Sequence, residues 1–359
     1  MKTSPVSWDT LDWPALDRLR DRFLAAKPGG AAYWTSFSDL ENYDFTYAQR
    51  IAWKWDAVLD ELRLRHWTPP SGPLLDWGCG SGIAGRRVLE FFGPDRFRSL
   101  QLFDRSPLAM EFAEEKAREM FPSLPVAITS SPLPLAHPMG EGSGVRASAP
   151  AIGTLVVSHV LGELDEEGGR ALRQAIDGAG AVLWVEPGTF ADSRSLIDLR
   201  EALSESFHVI APCTHASACG LRAPQNQRHW CHHFAKPPAN IMADSDWVRF
   251  ARRAGVDLRS LPYSFLVLER KGLRQSGAGL LPEGFSRIIG APRFYKGYTR
   301  IFSCQADGVR DLMLQKRDDP GLFKTLERHR AEPVYRWKLN RDRIQAAEAL
   351  GPSRTGSRP

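Results

Sequence analysis

Four cysteines, Cys213, Cys219, Cys231 and Cys304, follow one another with 5, 11 and 72 residues between them. Two close ligands, a third nearby and a distant fourth describe a loop clipped to a strand through a metal. Residues 213–231 carry Pro, Gly, His, Gln and Asn but few large apolar side chains. Fixing each such residue costs about 1–2 kcal/mol of backbone entropy, which little burial is available to offset. A four-thiolate metal site contributes roughly 10–16 kcal/mol at neutral pH. Zinc accepts four thiolates and so does an iron–sulfur cluster; spacing does not separate them. His232, directly after Cys231, is the candidate to replace a thiolate. The competing reading is that these thiols are small buried hydrophobes. Disulfides fit less well, because the opening MKTSPVSWDTLDWPALDR has no apolar signal segment and thiols in a reducing compartment more often bind metal.

A second chemical feature lies upstream. Pro73 to Gly85, PLLDWGCGSGIAG, reads as a short buried strand, a glycine turn and the opening of a helix. Gly78, Gly80 and Gly82 let a ligand approach the backbone closely, and the helix start offers free N–H groups. Gly80, Gly82 and Gly85 satisfy the dinucleotide pattern G-x-G-x-x-G, which keeps a NAD-dependent dehydrogenase as an alternative. Asp76 at the strand end argues against it, since a carboxylate repels a pyrophosphate but suits the ammonium and sulfonium of S-adenosylmethionine. Asp104 ends the next strand, 22 residues beyond Gly82. A carboxylate there can accept hydrogen bonds from two ribose hydroxyls, or simply cap the helix from Leu108 to Met120. Cys79, inside the turn, is read as a small residue and not as a nucleophile.

The elements around these residues alternate strand and helix, which predicts an α/β fold with an open, mostly parallel sheet. Strands are expected at 99–103, 125–129, 153–159, 181–186, 263–268 and 298–304, the last holding Cys304 on the sheet. His159 closes the fourth strand, as a base, a cofactor contact or a hydrogen-bonded strand end. Residues 46–66 place Ile51, Trp55, Val58, Leu59 and Leu62 at helical spacing, a packing stripe, and a helix is expected over 14–26. Residues 130–150 read as a flexible excursion and 351–359 as a disordered tail.

Charge narrows the partner. The chain has 359 residues, a net charge of +5 and 43% hydrophobic residues, enough for a large core, and shows no membrane span. Residues 206–243 contain no acid, but hold Arg222, Arg228, Lys236 and five of the nine histidines. Residues 284–306 are also acid-free, with Arg287, Arg293, Lys296 and Arg300 among Phe285, Phe294, Tyr295, Tyr298 and Phe302. That mixture clamps phosphates and stacks bases, unless the cations are merely solvated and the aromatics are core. Lys338, Arg341 and Arg343 extend the basic run.

LLDWGCGSG, LFDRSP, VVSHVLGEL, WVEPG, the APC, HASAC and WCHHF cluster and the late Cys304 resemble the small-ribosomal-subunit methyltransferase-like family of bacteria and mitochondria, over about residues 30–320. The resemblance implies a Rossmann-like class I methyltransferase sheet with an N-terminal helical appendage and a metal-clipped cysteine loop at 211–235. It implies S-adenosylmethionine near Asp76, Gly78, Gly80, Gly82 and Asp104, with His159 added as a cofactor contact from its place at the strand end. It also implies a 4Fe-4S cluster, with zinc as the alternative, on Cys213, Cys219, Cys231 and Cys304. The expected partner is the small ribosomal subunit and its 16S-type RNA, met by a monomer in a bacterial cytoplasm or a mitochondrial matrix. Domain boundaries are expected at 1–70, 71–320 and 321–359, the last a basic extension. The position after the fourth strand reads Ser158-His159-Val160-Leu161, not the Asn/Asp-Pro-Pro-aromatic of amino-group methyltransferases. Two functions therefore remain: an enzyme methylating ribosomal RNA, and a non-catalytic assembly factor on the same fold.

Overall fold

The computed structural model describes residues 6–25, 29–30, 34–130, 150–273 and 279–351. The excursion expected at 130–150 and the terminal tail lie almost wholly outside the described residues. In chain order the elements are α1 (Trp13–Ala25), α2 (Phe37–Phe45), α3 (Tyr47–Leu64), β1 (Gly72–Trp77), α4 (Ile83–Phe92), β2 (Phe97–Phe103), α5 (Pro107–Met120), β3 (Val126–Ile128), β4 (Ile152–Ser158), α6 (Glu166–Asp177) and β5 (Ala179–Pro187). They continue with α7 (Phe190–Leu203), β6 (Phe207–Ala211), β7 (His233–Ala235), α8 (Ser245–Ala254), β8 (Leu261–Arg270), β9 (Phe285–Tyr295), β10 (Tyr298–Gln305), β11 (Gly308–Gln315), α9 (Pro320–Glu327), β12 (Val334–Asn340) and β13 (Arg343–Ala349). The chain divides into two compact units, the first holding 1–59, 68–186 and 235–261, the second 60–67, 187–234 and 262–359.

In the first unit, β3-β2-β1-β4-β5 form parallel pairs in that order. This is the Rossmann-like arrangement of class I methyltransferases, with the order reversing direction between β1 and β4. The strands are near-continuous apolar runs, VVS and AVLWV among them, because parallel strands are covered on both faces. Thus β4 and β5 are buried along almost their whole lengths. Two aromatic clusters belong to the N-terminal helices: Leu19, Trp34 and Leu40 pack with Ala109 and Phe112 of α5, and Leu11 and Leu16 with Phe250 and Ala254 of α8.

The second unit contains α7, the antiparallel pair β6–β8, the cysteine loop and a closed barrel in the order β10-β11-β13-β12-β9. Ile288, Ile301, Leu312, Leu314, Phe323, Leu326, Tyr335 and Ile344 fill the barrel. Two expectations are corrected here. Residues 298–304 belong to this barrel and not to the parallel sheet, so Cys304 stands on a barrel strand. The boundary expected at 320/321 falls inside the barrel, since α9, β12 and β13 complete it. An alternating strand pattern specifies a two-faced strand, not the sheet it joins.

The second unit is tied by a buried carboxylate. Glu61 accepts from Arg65 Nε at 2.9 Å and from Arg287 Nη1 at 2.5 Å. Arg65 also donates to the carbonyls of Ile210, Pro212 and Cys213. Burial alone would raise the Glu61 pKa, but the two guanidiniums outweigh it and hold it low. All three side chains are at most 3% exposed. Arg287, expected on a basic surface, is therefore an interior residue. Replacing Glu61 by Leu leaves two buried guanidiniums unpaired, and the expected loss is about 3–5 kcal/mol of unfolding free energy. Urea denaturation checks this; a loss below about 1 kcal/mol means that the network is not a structural tie.

Candidate functional site

A cavity of about 610 Å³ lies where β1, β2 and β4 end. Its walls are Trp77 to Ser81 after β1, Phe103 to Ser106 after β2, Ser158 to Val160 after β4, and Tyr47, Arg50, Ile51 and Lys54 of α3. This is the switch point of the sheet, where diverging connections leave a crevice. Gly78 has φ 69°, and a Cβ there would stand 2.6 Å from Val160 Cγ1. Gly80, at φ 52°, lines the cavity and faces open space, with no atom within 4 Å of a built Cβ. Its N–H donates to Asp104 Oδ2 at 2.9 Å, and Ser106 N–H to Asp104 Oδ1 at 2.9 Å. Asp104 is thus aimed by two amides and lines the cavity, while burial raises its pKa.

Two of the expected contacts lie elsewhere. Asp76 is fully buried and absent from the cavity wall; its Oδ2 accepts the Gly85 N–H at 3.0 Å at the start of α4. Burial lifts its pKa to about 7 against the pull of the Gly85 hydrogen bond. Its role in these contacts is to brace the glycine turn from beneath. Gly82 is the N-cap of α4 at φ 78°, where a Cβ would meet Ala113 at 2.8 Å, so it serves helix packing.

His159 lines the cavity with both ring nitrogens engaged: Nε2 is 3.1 Å from Lys54 Nζ and Nδ1 is 3.1 Å from Ser158 Oγ. Burial, helped by Lys54 and Arg50, pushes its pKa well below the ordinary value, so the ring is neutral. An ammonium can only donate, which leaves the ring hydrogen on Nδ1 for Ser158. Trp55 Nε1 also donates to Ser158 Oγ, at 3.0 Å. Behind this corner the buried Glu186 accepts from Val160 N, Leu161 N and Trp184 Nε1. Arg50, Lys54 and Glu186 were missed by sequence reading. The apolar stripe of α3 drew attention to packing, although Arg50 and Lys54 are spaced i, i+4 on one side of that helix.

In the second unit the four thiols lie within electrostatic reach of one another. Burial first, then these neighbours, raises the pKa values of Cys219, Cys231 and Cys304. Cys219, Cys231 and Cys304 pack around Ile197, Leu221 and Ile289. Among the described residues, however, no group of three or more His, Cys, Asp or Glu side chains is arranged to hold a metal ion. The loop has other ties than the expected metal clip. Ser193 and Ser264 both donate to Cys231 O at 2.8 Å, Arg200 to Ser217 O at 2.7 Å, Arg194 to the carbonyls of Leu221 and Gln227, and Glu201 accepts from Cys219 N. These hydrogen bonds supply order that composition alone could not reveal. The histidines beside the thiols are His215, 3.6 Å from Cys304 Sγ, and His233, 3.6 Å from Cys231 Sγ. His232, the expected substitute ligand, instead stacks on Trp230.

Of the other expected cations, Arg293 and Arg300 both bind Asp311, at 2.5 and 2.9 Å. Lys296 is exposed in the β9–β10 turn. No helix among the described residues is long and apolar enough to cross a membrane.

The family described as mitochondrial small ribosomal subunit Rsm22 matches residues 46–331. No curated protein matches the chain. Similar solved structures include a class I S-adenosylmethionine-dependent methyltransferase, so described, from Listeria monocytogenes (11% identity, 77% of this chain and 75% of that one, TM-score 0.38). Another is described as an RNA methyltransferase of Pyrococcus horikoshii (11%, 72% and 98%, 0.33), and a third is the M. capricolum TrmK with S-adenosyl-homocysteine (5%, 62% and 74%, 0.29). At these TM-scores the fold assignment stands on strand order.

Asp76 gives a pH test of its bracing role. Its folded pKa of about 7 lies above the ordinary 3.8. Between those values the unfolded chain has lost the proton that the folded chain keeps, so folding is disfavoured as pH rises, and the penalty is complete above about pH 7. Asp76→Asn retains an acceptor for Gly85 N–H and removes that penalty. Its stability should match the parent near pH 4 and exceed it by a few kcal/mol, roughly, at pH 8. Equal differences at both pH values in urea melts would show that this carboxylate is ionised in the fold.

Proposed function

Because this chain belongs to the mitochondrial small ribosomal subunit Rsm22 family, we propose that it binds S-adenosylmethionine in the switch-point cavity and works on the small ribosomal subunit, in contact with its RNA. The arrangement of charge around the cavity carries the reading. Asp104 beyond β2 offers carboxylate oxygens to ribose hydroxyls, and Gly80 leaves room for the nucleoside. From α3, Lys54 and Arg50 offer cations to the methionine carboxylate; the buried Arg50 Nε has no hydrogen-bond partner among the described residues. The cofactor supplies an electrophilic methyl group when bound. A dinucleotide fits less well, since the Asp76 carboxylate already occupies the Gly85 N–H near the start of α4.

A second reading, binding without methyl transfer, is favoured by His159. Its two nitrogens are committed to Lys54 and Ser158, so it orients a cation and has no free lone pair for a substrate proton. Incubation with labelled S-adenosylmethionine and small-subunit RNA separates the two readings: label in RNA establishes the enzyme, and binding without label the assembly factor.

The thiols suit a metal or cluster in donor chemistry alone, being four in number and faced by the Arg287 and Arg200 guanidiniums; among the described residues they are not gathered into a ligand group. Cys213, Cys219, Cys231 and Cys304 would hold a 4Fe-4S cluster or zinc, which would supply a covalent clip between the loop and β10. Anaerobic preparation should yield iron and acid-labile sulfide, lost in Cys304→Ser. One zinc per chain favours the alternative, and neither metal leaves a thiol-lined hydrophobic core. The family description names a mitochondrial small ribosomal subunit, which supports a matrix location for a eukaryotic chain; a bacterial chain would act in the cytoplasm.

By calorimetry, Asp104→Ala should weaken S-adenosylmethionine binding by about 1–3 kcal/mol, the loss of hydrogen bonds to a charged acceptor. Unchanged affinity, or preference for a nicotinamide dinucleotide, would overturn the pocket assignment.

A further inference from the structure

The barrel of the second unit has a specific connectivity. β9 pairs antiparallel with β10 and with β12, β10 with β11, β12 with β13, and β11 runs parallel to β13. Helix α9 lies in sequence between β11 and β12. This is the topology of the oligonucleotide/oligosaccharide-binding barrel, whose ligands cross the second and third strands between the first and last hairpin loops. Here those strands are β10 and β11, and the loops are 296–297 and 341–342. Both loops meet the same end of β11: Lys316 N–H donates to Gly297 O at 2.9 Å and Met313 N–H to Asp342 O at 2.8 Å.

Alternation along β10 buries Thr299, Ile301 and Ser303 and leaves Tyr298, Arg300, Phe302 and Cys304 on the outer face. The cysteine loop covers one half of that face: Cys219, Leu221 and Cys231 pack with Phe302, Cys304 and Val309, and Gly220 approaches Gly308 so closely that a Cβ would stand 2.8 Å away. Among the described residues the half nearer the first hairpin is left open. Tyr295 and Tyr298 stack there with centroids 4.8 Å apart at 9°, and Tyr295 is 47% exposed. Arg293 and Arg300 share Asp311, which leaves one positive charge over, and the exposed Lys296 adds a second.

We propose that this open half-face binds single-stranded RNA, with bases stacking on Tyr298 and Tyr295 and phosphates held by Lys296 and Arg300. The inference rests on the RNA-partner reading above and narrows it to unpaired nucleotides at a named surface. A flat exposed aromatic pair offers its π-face to unstacked bases, which a duplex does not present. The surplus cations complement a phosphate backbone. The cysteine loop, seated on the other half, ends the track.

The test uses the full chain and a fluorescent oligouridine of about a dozen nucleotides, within the range of one such barrel. Anisotropy is read over a salt series, with a duplex RNA of equal length and natural small-subunit RNA in parallel. The double variant Tyr295→Ala/Tyr298→Ala should weaken oligouridine binding roughly 10- to 100-fold with little change in salt slope. Lys296→Ala should make that slope shallower by about 0.7. S-adenosylmethionine binding, whose residues lie in the other unit, serves as the folding control, and Lys296→Glu replaces the tyrosine variant if that fails to fold. Binding of small-subunit RNA that persists unchanged in folded variants overturns the barrel assignment and leaves the RNA partner standing. Equal affinity for duplex overturns the single-strand claim. No binding of any RNA by the parent chain overturns both.

Discussion

One buried carboxylate organises the second unit. Glu61 lies under 4% exposed with two guanidiniums on one oxygen, an arrangement that is stable only while all three members are present. Arg65 carries the order outward to the carbonyls at 210, 212 and 213, where the cysteine loop begins. Arg287, on β9, carries it to the barrel and to His233, whose Nδ1 accepts its Nε hydrogen at 3.3 Å. The loop that composition marked as unable to order itself is thus anchored at its start by a guanidinium paired elsewhere. Any metal on the thiols adds to an ordered frame.

The cavity of the first unit follows a different logic, in which charged groups reach it from separate elements. Asp104 follows β2, and the Lys54–His159 pair meets the end of β4. Asp76 belongs to neither wall. Its burial and raised pKa make it a strut whose proton uptake is a matter of stability, and its hydrogen bond to Gly85 fixes the turn on which Gly80 sits.

The thiols and the outer face of β10 are parts of one surface in the second unit. Cys304 and Phe302 are neighbours two residues apart on the outer side of β10, the first turned to the cysteine loop and the second bridging to Arg293, whose guanidinium lies 4.4 Å from its ring centroid. Changes in the loop therefore bear directly on how much of the barrel face is free.

The amino-acid sequence by itself determined the alternation of strands and helices, the glycine turn and its two acids, the cysteine spacing and the basic aromatic run. Each of these is local: a period, a turn or a composition that one short segment carries. Only the tertiary structure decided which sheet a strand joins, so the pattern at 298–304 marks β10 as a strand but not as a strand of the barrel. It also decided the facing of long polar side chains. Arg287 and Arg293 look alike in sequence, yet one is sealed against Glu61 and the other lies at the surface on Asp311. Asp76 and Asp104 both end strands, but a hydrogen bond to Gly85 turns one beneath the helix while two amides aim the other at the cavity. Lys54 became a candidate cofactor contact through His159, 105 residues away. Such facing depends on partners remote in the chain, and that information exists only once the chain has folded.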